Sequence, residues 1–481
     1  MKARLELLSP GECDQLHERT LNILSKTGMR VDTRRGRQIL GEAGASVNEA
    51  SHIVRLPHSL VEEALRRTPK EFTLGGRRPA WDLPMNQGYC TLSADGGAVM
   101  VLDSRTGERR RGNREDWLAS TRIMDSLEEI GVYWWMVEGG RASESMGDFV
   151  AYWRRVFENY SKHIQDSCKN PQETRWLLEI LSAVFGSQDA IRRTHPISLL
   201  ICPLSPLVIE ESYTDAYLET VGWDIPVAIM PMPLMGMTSP ASLISTLLLG
   251  NCEVLGMLTL IQAAAPGTPV IYAPALAAIE PRTGRYSSGA VEHSLLGAAV
   301  TRLARYYHLP AEACTGGTDH HIPGIQAGFE RAVNWTLPSL AWPDILVGPG
   351  LLSGSTVLSL EQMLIDVEVF RRCKRLVRGI ESSQDEWLEE VIARVGPGGS
   401  FLTQRSTRSA VHGGEWYISQ LGVHATFEAW EAMGRPDILD EIREKIDQLL
   451  ATHRPLPLDE GAAAELAKIE QHARRMEKQE L

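Results

Sequence analysis

The chain has 481 residues, 43% of them hydrophobic and 23% charged, with a formal net charge of −12. That composition suits a globular protein with a substantial core and argues against disorder. The acidity argues against a general binder of nucleic acid or of an anionic membrane, which leaves small molecules and proteins as partners. Seven scattered cysteines, none spaced as a thiolate metal site, point to a reducing cytoplasm. The start of the chain has no long apolar run before Pro10 and does not read as a secretory signal.

In chain order, Ser9-Pro10-Gly11-Glu12 is a capping box that predicts a helix ending near Gly28. Further helices are expected over 34–43 and 59–68. From Phe72 to Arg111 the pattern becomes short alternating segments, with turns at Gly75-Gly76, Asp95-Gly96-Gly97 and Arg105-Thr106-Gly107, and predicts small antiparallel β structure. Residues 1–115 therefore read as a helical and β extension.

From about Asp116, apolar strand-like runs alternate with helical segments. The runs are 132–137, 197–202, 227–232, 270–273, 311–315 and 345–347, and Lys162-His163 opens a further candidate. The apolar stretch Leu243 to Leu260, broken by Asn251 and Glu253, reads as a buried helix rather than a membrane span. Repeated βα units imply a parallel sheet, and the lack of a Gly-x-Gly-x-x-Gly or Walker loop favours a (β/α)8 barrel over a doubly wound sheet. The barrel is expected over 116–430, followed by C-terminal helices over 431–481 whose last residues, 465–481, are charged and read as exposed or frayed.

In such a barrel, chemistry sits at the carboxyl ends of the strands. Trp134 and Trp135 are candidates for an aromatic cage, although adjacent strand residues point to opposite faces and only one can reach the axis. Tyr272 carries the same ambiguity between cage and packing. Glu253, on the apolar helix, either complements a cation or is a satisfied buried carboxylate. The stretch from Cys314 to Glu330 looks like an active-site loop, with Gly316 and Gly317 for a sharp turn and Asp319, His320, His321 and Gln326 as polar groups. The adjacent histidines are poor joint zinc ligands, and there is no Gly-x-Ser-x-Gly nucleophile elbow.

These residues, in this order, resemble the trimethylamine methyltransferase superfamily in its branch without pyrrolysine. The resemblance runs over nearly the whole chain. It rests on Leu16-His17 to Gly28, Leu56-Pro57 with 61–64, Asp103 to Arg110, Pro203 to Leu207, Pro233 to Pro240, Asn251 with Glu253, and 266–270. It continues through Thr315-Gly-Gly-Thr-Asp319, Gln326 to Glu330, 366–368 and Gly396 to Leu402. It implies a (β/α)8 barrel that moves a methyl group from a quaternary amine, such as glycine betaine, proline betaine or carnitine, to the Co(I) of a corrinoid. The corrinoid (cobalamin) is expected on a cognate partner protein, with no metal in the enzyme itself, and the enzyme is expected to be a homo-oligomer.

The loop after Gly316-Gly317 departs from the family pattern, with His321 and Gly324 where a lysine and an aspartate are expected. The same departures make 319–324 spell Asp-x-His-x-x-Gly, the short motif of corrinoid domains. Its place inside the barrel marks the match as coincidence. The alternative to a methyltransferase is a non-catalytic or differently specialised barrel that binds a methylated amine or a partner protein.

Overall fold

The computed structural model describes residue 5 and residues 7–140 and 145–480. At its centre are eight parallel strands: β1 (Thr91–Ser93), β2 (Ile130–Tyr133), β3 (His163–Asp166), β4 (Ile197–Ile201), β5 (Val227–Ile229), β6 (Val270–Tyr272), β7 (Glu312–Cys314) and β8 (Ile345–Val347). They pair in the order β6-β5-β4-β3-β2-β1-β8-β7. A parallel bridge between Tyr272 and Ala311 joins the two ends and closes the barrel.

Helices follow the strands around the outside. They are α1 (Arg114–Ser126), α2 (Met146–Asn159), α3 (Pro171–Phe185), α4 (Glu211–Leu218), α5 (Leu243–Ala264), α6 (Val291–Tyr306), α7 (Ile325–Ala341) and α8 (Leu360–Arg378). Strand alternation sorts the side chains: Val132, Leu200, Ala228, Ile271 and Ile345 fill the interior, while Tyr133, Leu199, Val227, Val270 and Leu346 join the core beneath the helices. Both faces are covered, so the strands read as continuous apolar runs.

The first strand lies inside the stretch that the sequence assigned to the extension. Thr91-Leu-Ser93 carries one large apolar side chain and so gives no strand signal of the βα type. Around it, 72–111 divides into separate pieces. Phe72–Leu74 and Leu83–Met85 form an antiparallel hairpin whose apolar side chains join the barrel's interior cluster. Met100–Leu102 and Arg109–Arg111 form a second hairpin, paired to Val357–Leu358 beyond β8.

The Lys162-His163 pair shows the same alternation. Lys162 turns outward and donates to the carbonyls of Met124, Leu127 and Ile130, at 3.3, 2.6 and 2.8 Å. His163 turns inward, bonding the Gly75 carbonyl at 3.1 Å and the Ser198 hydroxyl at 2.9 Å, and burial pulls its pKa down to about 3. It is a neutral strut between the barrel and the Phe72–Met85 hairpin.

Helix α5 is long and apolar enough to cross a membrane, yet most of it is buried within the fold. The cap at Ser9 forms as expected, and Ser359 caps α8 by accepting the Gln362 amide. The C-terminal helix Glu460–Glu480 does not fray across its length. Leu466 and Ala473 are fully buried, and the helix packs on α2 and α3 with an Arg154–Glu470 ion pair at 2.9 Å. Its charges lie on one face, and a composition average hides the apolar stripe on the other. Between α8 and the helix Ile438–Thr452, residues 380–435 have only Leu421 buried.

Candidate functional site

A cavity of about 370 Å³ opens at the carboxyl end of the barrel, walled by the loops that follow β1, β5, β6, β7 and β8. A larger groove of about 860 Å³ lies between the N-terminal helices and α5. No barrel strand ends in that groove, and its Glu63 is already paired with Arg66 and Arg67. The barrel mouth is the place where groups from separate elements converge.

The loop after β1 brings Asp95 to the wall. Its Oδ1 accepts the Gly96 amide at 2.8 Å and its Oδ2 accepts the Ser355 hydroxyl at 2.7 Å. Burial raises its pKa, opposed by these two bonds and by the charge of Arg331. A Cβ on Gly96 would sit 1.7 Å from Trp134 Cδ1, so only glycine lets the Asp95 loop lie directly on the indole. Trp134 packs on the interior cluster. Trp135 packs with the outer core and stacks on Trp134, with ring centroids 6.4 Å apart and planes at 27°.

Across the mouth, Tyr286 and His293 line the same cavity edge to face, their centroids 6.3 Å apart. His293 Nδ1 lies 3.3 Å from the Ser288 carbonyl, and burial lowers the pKa of this histidine. Gly316 and Gly317 line the cavity after β7. A Cβ on Gly348, whose φ is +137°, would stand 2.5 Å from Gly316 Cα, so this part of the wall is backbone against backbone. The Thr315 Oγ1 beside it is buried and has no hydrogen-bond partner.

The polar groups farther along that loop build the wall rather than face the cavity. Asp319 accepts the Ser287 hydroxyl at 2.5 Å and the Ser288 amide at 2.9 Å. Glu330 on α7 accepts the Thr318 hydroxyl, the Asp319 amide at 2.9 Å and Gln326 at 2.8 Å. His320 bonds the Ile322 carbonyl at 2.7 Å and His321 the Ser353 hydroxyl at 2.8 Å, with the two rings stacked 6.4 Å apart. Asp319 and His321 thus bind different serines, and the short corrinoid-type motif makes no Asp–His pair.

Two predicted residues lie elsewhere. Tyr272 turns outward and donates to Asn251 Oδ1 at 2.8 Å, while Asn251 donates to Thr20 and Tyr307. Glu253 accepts the Ser205 hydroxyl and the Leu207 amide, both at 2.9 Å, which ties down the loop after β4, and burial pushes its pKa up to about 7. Both are satisfied buried groups of the helical layer.

Three features escaped sequence reasoning. Asp95 falls in a predicted turn of the sequence, because Thr91–Ser93 gives no strand signal. Tyr286 and His293 carry no local motif. Gln165 and Glu312 meet at 3.0 Å from β3 and β7, on opposite sides of the barrel, and so must both point to its axis. Glu312 is 1% exposed, and burial pushes its pKa up to about 7. Behind the wall, Arg331 and Asp366 pair at 3.1 Å with no side-chain exposure. Arg331 also donates to the Gly348 carbonyl at 2.6 Å, and Asp366 accepts the Gly350 amide at 2.8 Å, so the pair fixes the loop after β8.

Comparison with known proteins bears on the same region. Residues 1–479 match the family described as trimethylamine methyltransferase (MTTB). The chain is 30% identical over 464 residues to the trimethylamine methyltransferase MttB of Desulfitobacterium hafniense (strain DSM 10664 / DCB-2), covering 96% of this chain and 92% of that one. It is 27% identical over 469 residues to the glycine betaine methyltransferase of Desulfitobacterium hafniense (strain Y51), covering 96% of each. Among solved structures, the Methanosarcina barkeri monomethylamine methyltransferase (MtmB) superposes with a TM-score of 0.55 at 12% identity, over 93% of this chain and 89% of that chain, and shares the fold.

Proposed function

The chain belongs to the trimethylamine methyltransferase family, and on that premise we propose that it moves a methyl group from a quaternary amine to a corrinoid carried by a separate protein. The observation that carries this reading is the pairing of one carboxylate, Asp95, with the Tyr286 ring in the lining of a single cavity at the barrel mouth, where the Asp95 loop rests on the Trp134 indole. A permanent cation suits that pairing, and a desolvated ammonium on an aromatic face gains on the order of 2 kcal/mol.

A quaternary nitrogen is charged at every pH. When its bond to a methyl carbon breaks, the electron pair of that bond stays on nitrogen and a neutral tertiary amine leaves. No proton moves, so the neutral His293 need not act as an acid. The protein's task is to strip water from the cation, seat it against Asp95 and Tyr286, and aim one N-methyl outward, which is catalysis by positioning. Only standard residues are present, so no covalent amine adduct on pyrrolysine is required.

The residues around the mouth fit a corrinoid brought by a partner. Met232 and Met237 after β5, and Ile322 and Ile325 beyond the Gly316-Gly317 turn, are exposed at 50%, 58%, 52% and 90%. Such a rim suits an apolar macrocycle and its carrier. When bound there, the corrinoid supplies the cobalt nucleophile and the electron pair for the new bond to carbon. We assign Gly316 and Gly317 to the substrate wall, Trp134 to support of the Asp95 loop, Trp135 to support of Trp134, and Asp319 and Gln326 to the loop scaffold. His320 and His321 belong to the surface that meets the partner.

We also place the enzyme in the cytoplasm as a homo-oligomer. The stretch 380–435 exposes Trp387, Ile392, Leu402, Trp416, Ile418 and Phe427, an apolar surface that a second copy would cover. Light scattering should give a mass above that of one chain.

The test of function is to mix the protein with reduced cob(I)alamin or a corrinoid protein and a panel of quaternary amines, and to follow the corrinoid absorbance. Methyl transfer from a quaternary amine and not from trimethylamine is expected. Tight binding of a quaternary amine with no transfer to any corrinoid would point instead to a binding barrel.

A further inference from the structure

Two pieces of the sequence, Thr315-Gly-Gly-Thr-Asp319 and Gln326-Ala-Gly-Phe-Glu330, end in carboxylates, and neither carboxylate lines the cavity. Asp319 is spent instead on the neighbouring loop. One of its oxygens accepts the Ser287 hydroxyl at 2.5 Å, and the other accepts the Ser288 amide at 2.9 Å and the Ser288 hydroxyl at 3.4 Å. A carboxylate meets these donors with both oxygens, whereas a carboxamide has one acceptor oxygen and cannot match it. Glu330, from α7, fixes Asp319 from behind. One oxygen takes both the Thr318 hydroxyl and the Asp319 amide, and Gln326 donates to the other.

The segment that Asp319 grips follows directly on the aromatic ring of the cavity, Tyr286. Tyr286 and Ser287 pair over two residues with Ile279 and Ala278, and the tip of that hairpin, 281–285, is exposed. The grip of Asp319 lies at the root of this short arm. Asn334 adds a bond to the Ser288 carbonyl at 3.0 Å. Glycines make the close fit possible: a Cβ on Gly317 would stand 2.3 Å from Ser288 Cβ, and one on Gly289 would stand 2.7 Å from Glu330 Cδ. The same stretch also sets what lies behind the ring. The Gly354 amide donates to the Thr318 carbonyl at 3.0 Å, and a Cβ on Gly354 would sit 3.6 Å from Tyr286 Cδ1. Thr318-Asp319 thus holds both the root of the Tyr286 arm and the glycine against its ring.

We propose that Asp319 is a positioning residue of the transfer reaction, holding the Tyr286 ring against the bound cation through Ser287 and Ser288. The attraction between an ammonium and a ring depends on the ring's face staying close to the charge, so an arm free to tilt would lose it. Asp319 itself touches no ligand. The proposal rests on the quaternary-amine reading of the cavity and is tested by binding, without the corrinoid.

The experiment is calorimetric titration of the full chain with tetramethylammonium in a double-mutant cycle of Asp319 and Tyr286. Asp319→Ala should weaken binding roughly tenfold when Tyr286 is present and by less than about twofold when Tyr286 is already alanine. Asp319→Asn, which keeps an acceptor for the Ser288 amide, should recover part of the loss. Ser287→Ala removes one bond of the grip and should show the same dependence on Tyr286 at smaller size, so it decides the matter if Asp319→Ala fails to fold. An equal loss with and without the Tyr286 ring would mean that Asp319 supports the cavity as a whole, and it would overturn the proposal. So would an unchanged affinity, or a native protein that does not bind tetramethylammonium. Losses that depend on Tyr286 in a protein that transfers no methyl group to any corrinoid would sink the proposed function and leave this inference standing. Losses independent of Tyr286 in a protein that does transfer the methyl group would do the reverse.

Discussion

Glu312 gives the most quantitative test of the barrel's interior. It projects from β7 to the barrel axis, is 1% exposed, and has the Gln165 amide as its bonding partner. Burial lifts its pKa from 4.5 to about 7. Between those values the folded protein keeps a proton that the unfolded chain has lost, so stability falls as pH rises through the window and levels off above about 7. The span of the shift corresponds to a loss on the order of 3 kcal/mol. Glu312→Gln is nearly isosteric and cannot ionise, so it should lack this loss. Urea unfolding at about pH 4.5 and about pH 8 measures the difference: the native protein should lose on the order of 3 kcal/mol more than the variant across that range. Glu253 is common to both proteins and cancels. Equal pH dependence in the two would show that Glu312 ionises in the fold as it does in the unfolded chain, and its burial against Gln165 on the barrel axis would be refuted.

Other substitutions probe the site and its supports. Gly96→Ala places a Cβ 1.7 Å from Trp134 Cδ1; displacing the indole should cost about 1–3 kcal/mol of stability and weaken binding of a quaternary ammonium roughly tenfold by shifting Asp95 in the wall, read by denaturation and calorimetry. Arg331→Met strands Asp366 as a buried charge and should destabilise the protein by about 3–5 kcal/mol, whereas adding Asp366→Leu should recover part of that loss; a single variant that melts like the native protein would contradict the buried pair. Tyr272→Phe removes the bond to Asn251, should cost about 1 kcal/mol of stability, and should leave ligand affinity unchanged because the ring faces the helices. Tyr286→Ala should instead weaken ammonium binding roughly thirtyfold, the loss of a cation–π contact of on the order of 2 kcal/mol, while the far-ultraviolet circular dichroism is retained.

Much of the barrel is legible in the sequence because a strand covered on both faces needs an unbroken apolar run, as in Ile197–Ile201, Val270–Tyr272 and Ile345–Val347. Thr91–Ser93 escaped because its neighbours in space, rather than its own side chains, make it a strand. That omission hid Asp95, the acid of the site. Direction was the second difficulty. A candidate at a strand end faces the mouth or the helices according to register, and one position decides between Trp134, which turns inward, and Tyr133, whose hydroxyl accepts Trp117 Nε1 on the outside. Tyr272, open between cage and packing in the sequence, turns to the helices by the same rule. Glu253 stays open in the sequence between a cation partner and a satisfied buried carboxylate, because its partners, Ser205 and Leu207, sit in a distant loop that no local pattern reveals. Gly316 and Gly317 were legible, since close approach of two backbones demands glycine whatever lies around it.

The central claim is that the cavity beside Asp95 delivers a methyl group from a quaternary nitrogen to a corrinoid. The most direct test is a single-turnover reaction with reduced corrinoid and a quaternary amine carrying deuterated N-methyl groups, followed by mass spectrometry of both products. Loss of one labelled methyl from the amine, its matching gain by the corrinoid, and failure of both with Asp95→Asn are the predicted results. An amine that binds in the cavity but keeps all its methyl groups, with every corrinoid supplied, would contradict the claim.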